Sequence, residues 1–455
     1  MDSRFANYNL HQLDPSNYWD LDNHLRALKS QPFVYHHPVI NELPKDIPGI
    51  YTIGGGRQIG KTTLLKQWIA ELIENNTPPE AIGFFTGELI DDHHALVKIL
   101  QEFISEASNH KFQYIIIDEI TYVQNWDKAI KFAADAGYFE RAIVVLTGSD
   151  LTMMQSAKMT FPGRRGIADK VDFHIYSLSF KEFMTLKNSI PDLQNIIDDE
   201  NNLTHEITHI LYKEFSEYLL HGGYLTAIND IAKYETILPA TLKVYTDWIV
   251  GDMLKRGKQE SYVREILFAI IKSYSDQVTW QSLSQAMSID SHNTVADYCQ
   301  LLATMDALFI QSALQVDKLT AAPKKARKIT FTDPFIYHAV KYWLSPVENP
   351  FEQITHDIQD SDIAADLVEA TVSNYFRRFY PTYYIKSTSG EIDVAYIKEK
   401  MYWPIEVKWR NQLRPDDIKL IAKYPRGTVY AKTQSTRKIN DLTVIPLPYA
   451  LLKDV

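Results

Sequence analysis

The sequence predicts an α/β protein built on a parallel β-sheet, and three segments support this prediction. The first is a short β-branched run at 50–53, which leads into a glycine-rich turn and then into an amphipathic helix pattern that starts at Lys61. The other two are continuous apolar runs, YIIIDE at 114–119 and AIVVLTGS at 142–149. Continuous apolar runs of this length are typical of parallel strands that are buried on both faces of a sheet.

The composition is that of an ordinary folded protein. The chain has 455 residues, of which 45% are hydrophobic and 23% are charged, so it can bury the cores of roughly two to four domains. A single cysteine, Cys299, excludes an intrachain disulfide. The first 23 residues do not read as a signal peptide, and the apolar runs are too short to cross a bilayer. We therefore expect a cytoplasmic protein with no membrane partner.

The charge is unevenly distributed along the chain. The formal net charge is −10, which disfavours the coating of nucleic acid by the whole surface. In residues 361–455, however, Lys and Arg outnumber Asp and Glu. Any contact with DNA or RNA is therefore expected in this last part of the chain.

The glycine-rich turn carries the pattern G-x-x-x-x-G-K-[ST] at Gly55, Gly60, Lys61 and Thr62. Glycines let successive backbone N–H groups turn toward phosphate oxygens, and the following helix adds the positive end of its dipole. Lys61 would supply a charge for the β- and γ-phosphates, and the Thr62 hydroxyl is the expected Mg²⁺ ligand. The pattern predicts an ATP site with Mg²⁺ as cofactor. Its predicted nucleotide-binding residues are Gly55, Gly56, Arg57, Gln58, Ile59, Gly60, Lys61, Thr62 and Thr63.

The two apolar runs end in polar side chains at the edge where open α/β sheets bind ligands. Asp118 is expected to hold Mg²⁺, and Glu119 to polarise the attacking water. After the second run, Thr147 or Ser149 is expected to contact the γ-phosphate or that water. Alternatively, this turn is selected only for its glycine, Gly148.

These motifs, in this order, resemble the prokaryotic AAA-type ATPases fused to a C-terminal domain of unknown function. The segments that carry the resemblance are GGGRQIGKTTLL, YIIIDEI, VVLTGS, FPGRRG and YSLSFKEF, followed by YLLHGGYLTAI at 218–228 and KITFTDPFIYHAV at 328–340. The resemblance implies that an arginine after the sensor strand, Arg164 or Arg165, approaches nucleotide as a finger acting in trans or as a sensor. The first of these roles would require a homo-oligomer. The sequence departs from the family at Asp150, where a small polar residue is usual.

The middle of the chain reads as helices followed by a β-ribbon. A helical region opens with SFKEF and extends over 179–254, and three further helical patterns, with Asn293 or Thr294 as a cap, precede a ribbon at 310–331. Three helices and a ribbon are typical of a winged helix. The ribbon carries a basic run made up of Lys324, Lys325, Arg327 and Lys328. This run either tracks a phosphate backbone or is a solvated loop of a domain used for protein packing, and the acidic surroundings favour the second interpretation.

The last domain is predicted to contain a helix followed by a sheet. The helix is expected at 366–379, and the strands at 383–386, 391–397 and 402–409. In the third strand, the apolar residues alternate with Glu406 and Lys408, so a period of two places these two side chains on one face. Asp393 interrupts the apolar pattern of the preceding strand, and Glu369 lies among apolar residues of the helix.

This set of residues is similar to that of the PD-(D/E)XK nuclease family. The resemblance implies that Asp393 and Glu406, with Glu369 nearby, ligate Mg²⁺ or Mn²⁺. It also implies that Lys408 orients or activates water for attack on a phosphodiester. The proline of the family motif is absent here, because Asp393 follows Ile392.

The predicted domains are an N-terminal segment with a P-loop ATPase domain at 1–178, a helical region at 179–258, a winged-helix-like domain at 259–345 and a nuclease-like domain at 352–455. Two functions fit this order. In the first, ATP hydrolysis drives or licenses a C-terminal domain that acts on DNA or RNA. In the second, the chain is an ATP-dependent binding switch, and an inactive nuclease-like domain docks a protein partner.

Overall fold

The computed structural model describes residues 2–149 and 159–453, so Asp150 lies outside the described residues. The chain divides into two compact units, Met1–Tyr176 and Ser177–Val455. This division falls close to the boundary predicted at 178, whereas the further predicted boundaries lie inside the second unit. Within the described residues, no helix combines the length and the apolar character that a membrane span requires.

The first unit is a five-stranded parallel sheet with the strand order β2-β3-β4-β1-β5. The strands are β1 (Gly49–Gly55), β2 (Ile82–Thr86), β3 (Gln113–Asp118), β4 (Ala142–Gly148) and β5 (Asp172–Ile175). The helices are α1 (Tyr18–Leu21), α2 (Asn23–Lys29), α3 (Val39–Glu42), α4 (Lys61–Glu74), α5 (His93–Glu106) and α6 (Trp126–Asp135). The predicted α/β fold with a parallel sheet is confirmed.

Both faces of this sheet are buried, which explains the continuous apolar runs. On β1, Ile50 belongs to one core, whereas Tyr51 and Ile53 belong to the other. Helix α4 covers the second core with Trp68, and α5 and α6 cover the first. Each fully buried Ile or Leu contributes roughly 1.5–3 kcal/mol to folding, so the alternation fixes the register of the strands relative to both helical layers.

The edge of β2 is covered by side chains of the N-terminal segment rather than by another strand. The Asn9 amide donates to the carbonyl oxygen of Phe84, and its oxygen accepts from the Phe84 N–H, at 2.8 and 2.7 Å. Gln12 donates to the carbonyl oxygen of Ile82 at 2.8 Å. These side chains therefore supply hydrogen-bond partners for backbone groups that an edge strand would otherwise leave unpaired.

The second unit begins with helices and a ribbon. The helices are α7 (Phe180–Lys187), α8 (Leu193–Asp198), α9 (His205–His221), α10 (Leu225–Tyr234), α11 (Pro239–Lys255), α12 (Glu260–Lys272), α13 (Trp280–Gln285) and α14 (His292–Thr304). The ribbon contains β6 (Leu308–Ser312), β7 (Leu314–Gln315), β8 (Thr320–Ala321) and β9 (Arg327–Phe331), and β6 pairs antiparallel with β9. Cys299 is fully buried on α14.

One local expectation for this region is wrong. The cap of α14 is Ser291, which accepts from the Thr294 N–H at 3.3 Å, so neither Asn293 nor Thr294 caps the helix. Further along the chain, the Asn349 side chain caps a helix that starts with proline at its first position. Proline is favoured at this position because its N–H would be unpaired there anyway.

The unit ends in helices and a six-stranded mixed sheet with the order β10-β11-β12-β13-β15-β14. The helices are α15 (Pro334–Leu344), α16 (Pro350–Gln359), α17 (Ser361–Arg377), α18 (Pro415–Ile418) and α19 (Leu447–Ala450). The strands are β10 (Thr382–Ser387), β11 (Gly390–Lys398), β12 (Met401–Lys408), β13 (Thr428–Ala431), β14 (Arg437–Ile439) and β15 (Leu442–Pro446). Helix α17 starts five residues before the predicted position, because Asp360 caps it by accepting from two N–H groups of its first turn.

A buried carboxylate, Asp333, connects distant parts of the second unit. It accepts hydrogen bonds from the Ser177 hydroxyl at 2.7 Å and from the Gly223 N–H at 2.9 Å. It also caps α15 by accepting from the Phe335 N–H at 2.9 Å. Burial raises the pKa of Asp333, and these hydrogen bonds oppose that effect. The adjoining Gly222 has φ +57°, and a Cβ at this position would lie 1.6 Å from the Asp333 carboxylate, so only glycine fits.

Candidate functional site

The P-loop begins at the carboxyl end of β1 and ends at the first turn of α4. Gly60, at the helix cap, has φ +96°, a conformation that glycine adopts without strain. The Lys61 ammonium is buried and donates to the carbonyl oxygens of Gly55 and Gly56 at 3.1 and 2.7 Å. Burial lowers the pKa of Lys61, and the nearby Glu119 and Asp118 oppose that effect. The lysine is thus held at the loop whose N–H groups are expected to bind phosphates.

The predicted magnesium ligands of the P-loop lie in contact with each other. The Thr62 hydroxyl donates to Asp118 Oδ2 at 2.6 Å, and the Thr147 hydroxyl donates to Asp118 Oδ1 at 2.5 Å. Burial raises the pKa of Asp118, and these two hydrogen bonds oppose that effect. A hydroxyl and a carboxylate oxygen are ligands of the kind that Mg²⁺ prefers, so this pair of residues fits the ion.

The Glu119 side chain lies between the P-loop lysine and the end of β4. Its Oε1 atom is 3.7 Å from Lys61 Nζ, and its Oε2 atom accepts from the Ser149 hydroxyl at 3.2 Å. The backbone of Glu119 has φ +50° and ψ +45°, a left-handed conformation that is uncommon for residues other than glycine and is enriched at functional sites. Of the two alternatives at the end of β4, Ser149 contacts the Glu119 carboxylate, whereas the fully buried Thr147 hydroxyl donates to Asp118 and accepts from the Glu119 N–H at 2.9 Å.

The N-terminal segment contributes a side chain to the P-loop that the sequence did not indicate. His24, on α2, places Nε2 2.6 Å from the Thr63 hydroxyl. A buried ion pair between Lys66 and Asp22 holds α2 against α4. Because His24 is 39 positions from Thr63 in the sequence, no local pattern predicts this contact.

The structure does not bring Arg164 and Arg165 to the P-loop of the same chain. Arg165 forms an ion pair with Asp172 at 2.7 Å and donates to the carbonyl oxygen of Ile50 at 3.2 Å, so it connects the amino-terminal parts of β1 and β5. Arg164 pairs with Asp135, at the end of α6, at 2.5 Å. Arg164 is the more exposed of the two, with 29% of its side chain accessible against 12% for Arg165.

In the second unit, the sheet brings three predicted site residues together. Val394 on β11 pairs with Ile405 on β12, so Asp393 and Glu406 come next on the two strands. The Lys408 ammonium lies 2.5 Å from Glu406 Oε1 and 3.6 Å from Asp393 Oδ2. Both carboxylates are buried.

The fourth predicted residue, Glu369, is joined to this group by a lysine from the ribbon. Lys328 Nζ lies 2.7 Å from Glu369 Oε1, 2.7 Å from Glu391 Oε1 and 3.9 Å from Asp393 Oδ1. Lys328 is fully buried. Both interpretations of the basic run placed its residues in solvent, and for Lys328 this is wrong. We refer to Glu369, Glu391, Asp393 and Glu406, with Lys328 and Lys408, as the carboxylate cluster.

The carboxylate cluster has the electrostatics of a cation-binding site. Burial, together with the neighbouring carboxylates, raises the pKa of both Glu369 and Glu406 to about 8. Glu406 Oε2 is buried without a hydrogen-bond partner. Within residues 2–149 and 159–453, no three acidic, His or Cys side chains are arranged closely enough to form a complete metal cage. Mg²⁺ is commonly held by one or two carboxylates and several waters, so Asp393 and Glu406 fit this ion.

Two family models match parts of the chain. Residues 48–184 match the family model of an AAA domain, and residues 212–346 match the model of a domain of unknown function. The second match includes the segments at 218–228 and 328–340 and ends before the last sheet. Together with the parallel sheet order, the first match supports an AAA-type P-loop fold for residues 48–184.

Two relatives of the chain are described only as uncharacterized proteins. An uncharacterized protein of Haemophilus influenzae is 25% identical over 285 residues, which cover 60% of this chain and 64% of that protein. An uncharacterized protein of Methanocaldococcus jannaschii is 28% identical over 280 residues, which cover 59% of this chain and 55% of that protein. The matched region thus spans less than two thirds of either relative.

The similar solved structures are distant. The Walker-type ATPase of Pyrococcus abyssi is 14% identical with a TM-score of 0.41, and the match covers 66% of this chain and 93% of that one. AMPPCP-bound DnaA from Aquifex aeolicus is 15% identical with a TM-score of 0.25, and the match covers 58% of this chain and 86% of that one.

Proposed function

We propose that the chain hydrolyses ATP at the P-loop, with Glu119 as the residue that orients and polarises the attacking water. The observation that carries this proposal is the position of the Glu119 carboxylate, which contacts both Lys61 and the Ser149 hydroxyl. Lys61 would bind the β- and γ-phosphates, and Thr62 and Asp118 would hold Mg²⁺. When bound, this ion neutralises charge on the phosphate oxygens.

Arg164 is the arginine that we propose to act in trans on a neighbouring copy, because Arg165 is engaged by the sheet. If so, ATPase activity per chain should rise with protein concentration, and Arg164→Ala should lower it by about 1000-fold at saturating concentration, the lower end of the range for arginine fingers. The rate should be measured across a concentration series, alone and after mixing with Lys61→Ala protein. A monodisperse monomer whose rate is strictly proportional to its concentration would contradict the role in trans.

For the second unit, we propose that the carboxylate cluster cleaves phosphodiester bonds in nucleic acid. The supporting observation is the placement of Asp393 and Glu406 around Lys408 on adjoining strands. Asp393 and Glu406 would bind Mg²⁺ or Mn²⁺, and Lys408 would orient the attacking water. The metal, when bound, would stabilise negative charge on the phosphate. ATP hydrolysis in the first unit would then drive or license this activity.

The test is a cleavage assay on DNA and RNA with Mg²⁺ or Mn²⁺, performed with and without ATP. Asp393→Ala and Lys408→Ala should each abolish metal-dependent cleavage while the ATPase rate persists, because both residues lie in a different unit from the P-loop. Lys438→Ala, an exposed lysine on β14 of the same sheet, is the matched control and should cleave normally. Cleavage that survives in Asp393→Ala would come from elsewhere, and no cleavage by wild type would favour a cluster that docks a protein partner.

A further inference from the structure

The carboxylate cluster contains a cation that belongs to the chain itself. The Lys328 ammonium lies between Glu369 and Glu391, 2.7 Å from an oxygen of each, and its side chain is only 1% accessible. The side chain of Gln277 also donates to the second oxygen of Glu391. The ammonium group therefore has fixed partners on more than one side and is not a mobile surface charge.

Asp393 is shared between the two lysines of the cluster. Its Oδ1 atom faces Lys328 at 3.9 Å, and its Oδ2 atom faces Lys408 at 3.6 Å and accepts from the Val407 N–H at 2.8 Å. A carboxylate that serves two cations through its two oxygens is the bridging arrangement found in two-metal sites, where the ions lie about 3.5–4 Å apart. Here the Lys328 ammonium lies on the Oδ1 side of Asp393. Lys408 lies on the Oδ2 side, where Glu406 Oε2, buried without a hydrogen-bond partner, is available to a metal ion.

The formal charges agree with one divalent ion rather than two. When all side chains are ionised, the four carboxylates of the cluster outweigh its two lysines by two negative charges. A single Mg²⁺ or Mn²⁺ would neutralise this excess. A second ion would leave an excess of two positive charges with Lys328 present but of only one without it, and buried positive charge is costly in a low-dielectric interior.

We propose that Lys328 takes the place of a second metal ion, so that the carboxylate cluster binds one divalent cation and the Glu369–Glu391 side of the cluster is permanently filled by ammonium. This inference rests on the metal site of the proposed function and specifies its stoichiometry. It also makes Lys328 a positioning residue, because its burial keeps it from touching a substrate.

Lys328 lies outside the predicted nuclease-like domain. Lys328 belongs to β9, and the ribbon is attached to the last sheet by Gln311, which donates to the carbonyl oxygens of Asp393 and Tyr383 at 3.0 and 2.9 Å. The Tyr384 hydroxyl also donates to the carbonyl oxygen of Ala326 at 2.6 Å. The ribbon therefore completes a site whose metal-binding carboxylates lie after residue 352.

The test is a count of bound Mn²⁺ by electron paramagnetic resonance on the full chain without nucleotide. All proteins would carry Asp118→Asn, so that metal at the P-loop does not contribute. We expect one Mn²⁺ for the unchanged cluster, one for Lys328→Arg, which keeps the charge, and two for Lys328→Met, which removes it. Adding Asp393→Ala to Lys328→Met should abolish the gain.

The outcomes separate this inference from the proposed function. One Mn²⁺ in both the unchanged cluster and Lys328→Met would overturn the stand-in role and leave the proposed metal site intact. No Mn²⁺ in the unchanged cluster but one in Lys328→Met would support the stand-in role and refute the proposed metal site. No Mn²⁺ in either protein would overturn both.

A second measurement applies if Lys328→Met is less stable than the unchanged protein. Thermal unfolding should be followed in EDTA and in Mn²⁺ at equal ionic strength. If the lysine stands in for a metal, Mn²⁺ should raise the melting temperature of Lys328→Met more than that of Lys328→Arg, because the ion refills the vacated position. Equal shifts, or a variant that stays unfolded in Mn²⁺, would show that the lysine has only a packing role.

Discussion

Lys61→Ala is expected to weaken ATP binding by about 100-fold or more. Lys61 is expected to contact both the β- and the γ-phosphate, and each charge-assisted contact contributes about 1.5–3 kcal/mol. Each factor of ten in affinity corresponds to about 1.4 kcal/mol. Glu119→Gln should instead bind ATP normally and turn over about 100–10,000-fold more slowly, the range for a lost general base. Binding is measured with a fluorescent ATP analogue, and turnover by phosphate release.

The control for these variants is Glu102→Gln, which changes an exposed carboxylate of α5 in the same unit and should match wild type in both measurements. Equal turnover by wild type and Glu119→Gln would refute the role proposed for Glu119. A parallel loss of ATP binding in Glu119→Gln would instead show that its contact with Lys61 positions the P-loop.

Asp333→Ala is expected to destabilise the second unit by roughly 3–5 kcal/mol. The substitution leaves the half-buried Ser177 hydroxyl and the buried N–H groups of Gly223 and Phe335 without this acceptor, and each buried group left unpaired costs about 1–3 kcal/mol. Because burial raises the pKa of Asp333 in the folded state, the protonated carboxyl is favoured there relative to the unfolded chain. The measurement is the shift of the unfolding midpoint in urea.

Asp360→Ala provides the matched comparison, because Asp360 also caps a helix by accepting from two N–H groups, but in an exposed position. Its loss should shift the midpoint far less, since water can replace the exposed cap. Asp333→Asn, which keeps one acceptor oxygen, should fall between the two alanine variants. Equal shifts for Asp333→Ala and Asp360→Ala would contradict the role of Asp333 as the buried connection.

The sequence predicted the parts of the P-loop site that are encoded locally. Lys61 and Thr62 follow a strand and glycine turn directly, and Asp118 ends a run whose apolar pattern already indicates a buried parallel strand. His24 and Arg165 could not be assigned in this way, because their partners are distant in the sequence. For Arg165, the adjoining Arg164 offers an indistinguishable local pattern, and only the packing of β5 against β1 separates the two.

In the carboxylate cluster, a period of two was sufficient to place Glu406 beside Lys408. The same period relates Glu391 to Asp393, so this second acidic residue could have been found from the sequence. The position of Lys328 was harder to predict from the sequence, because this residue ends a run of basic residues that suggests a solvated loop. The alternation within β9, where Lys328 and Thr330 share a face, is the signal that separates it from that run.

The side chains that cover the edge of β2 determine how the AAA domain can be studied in isolation. The family match starts at residue 48. The segment whose side chains bond to the β2 backbone, which includes Asn9 and Gln12, lies well before that residue. A truncated protein that begins at residue 48 would present an unpaired strand edge to solvent, and such edges associate with one another. An oligomer formed by that fragment would not distinguish edge-to-edge aggregation from the proposed assembly, so that assembly has to be measured on a chain that retains its first residues.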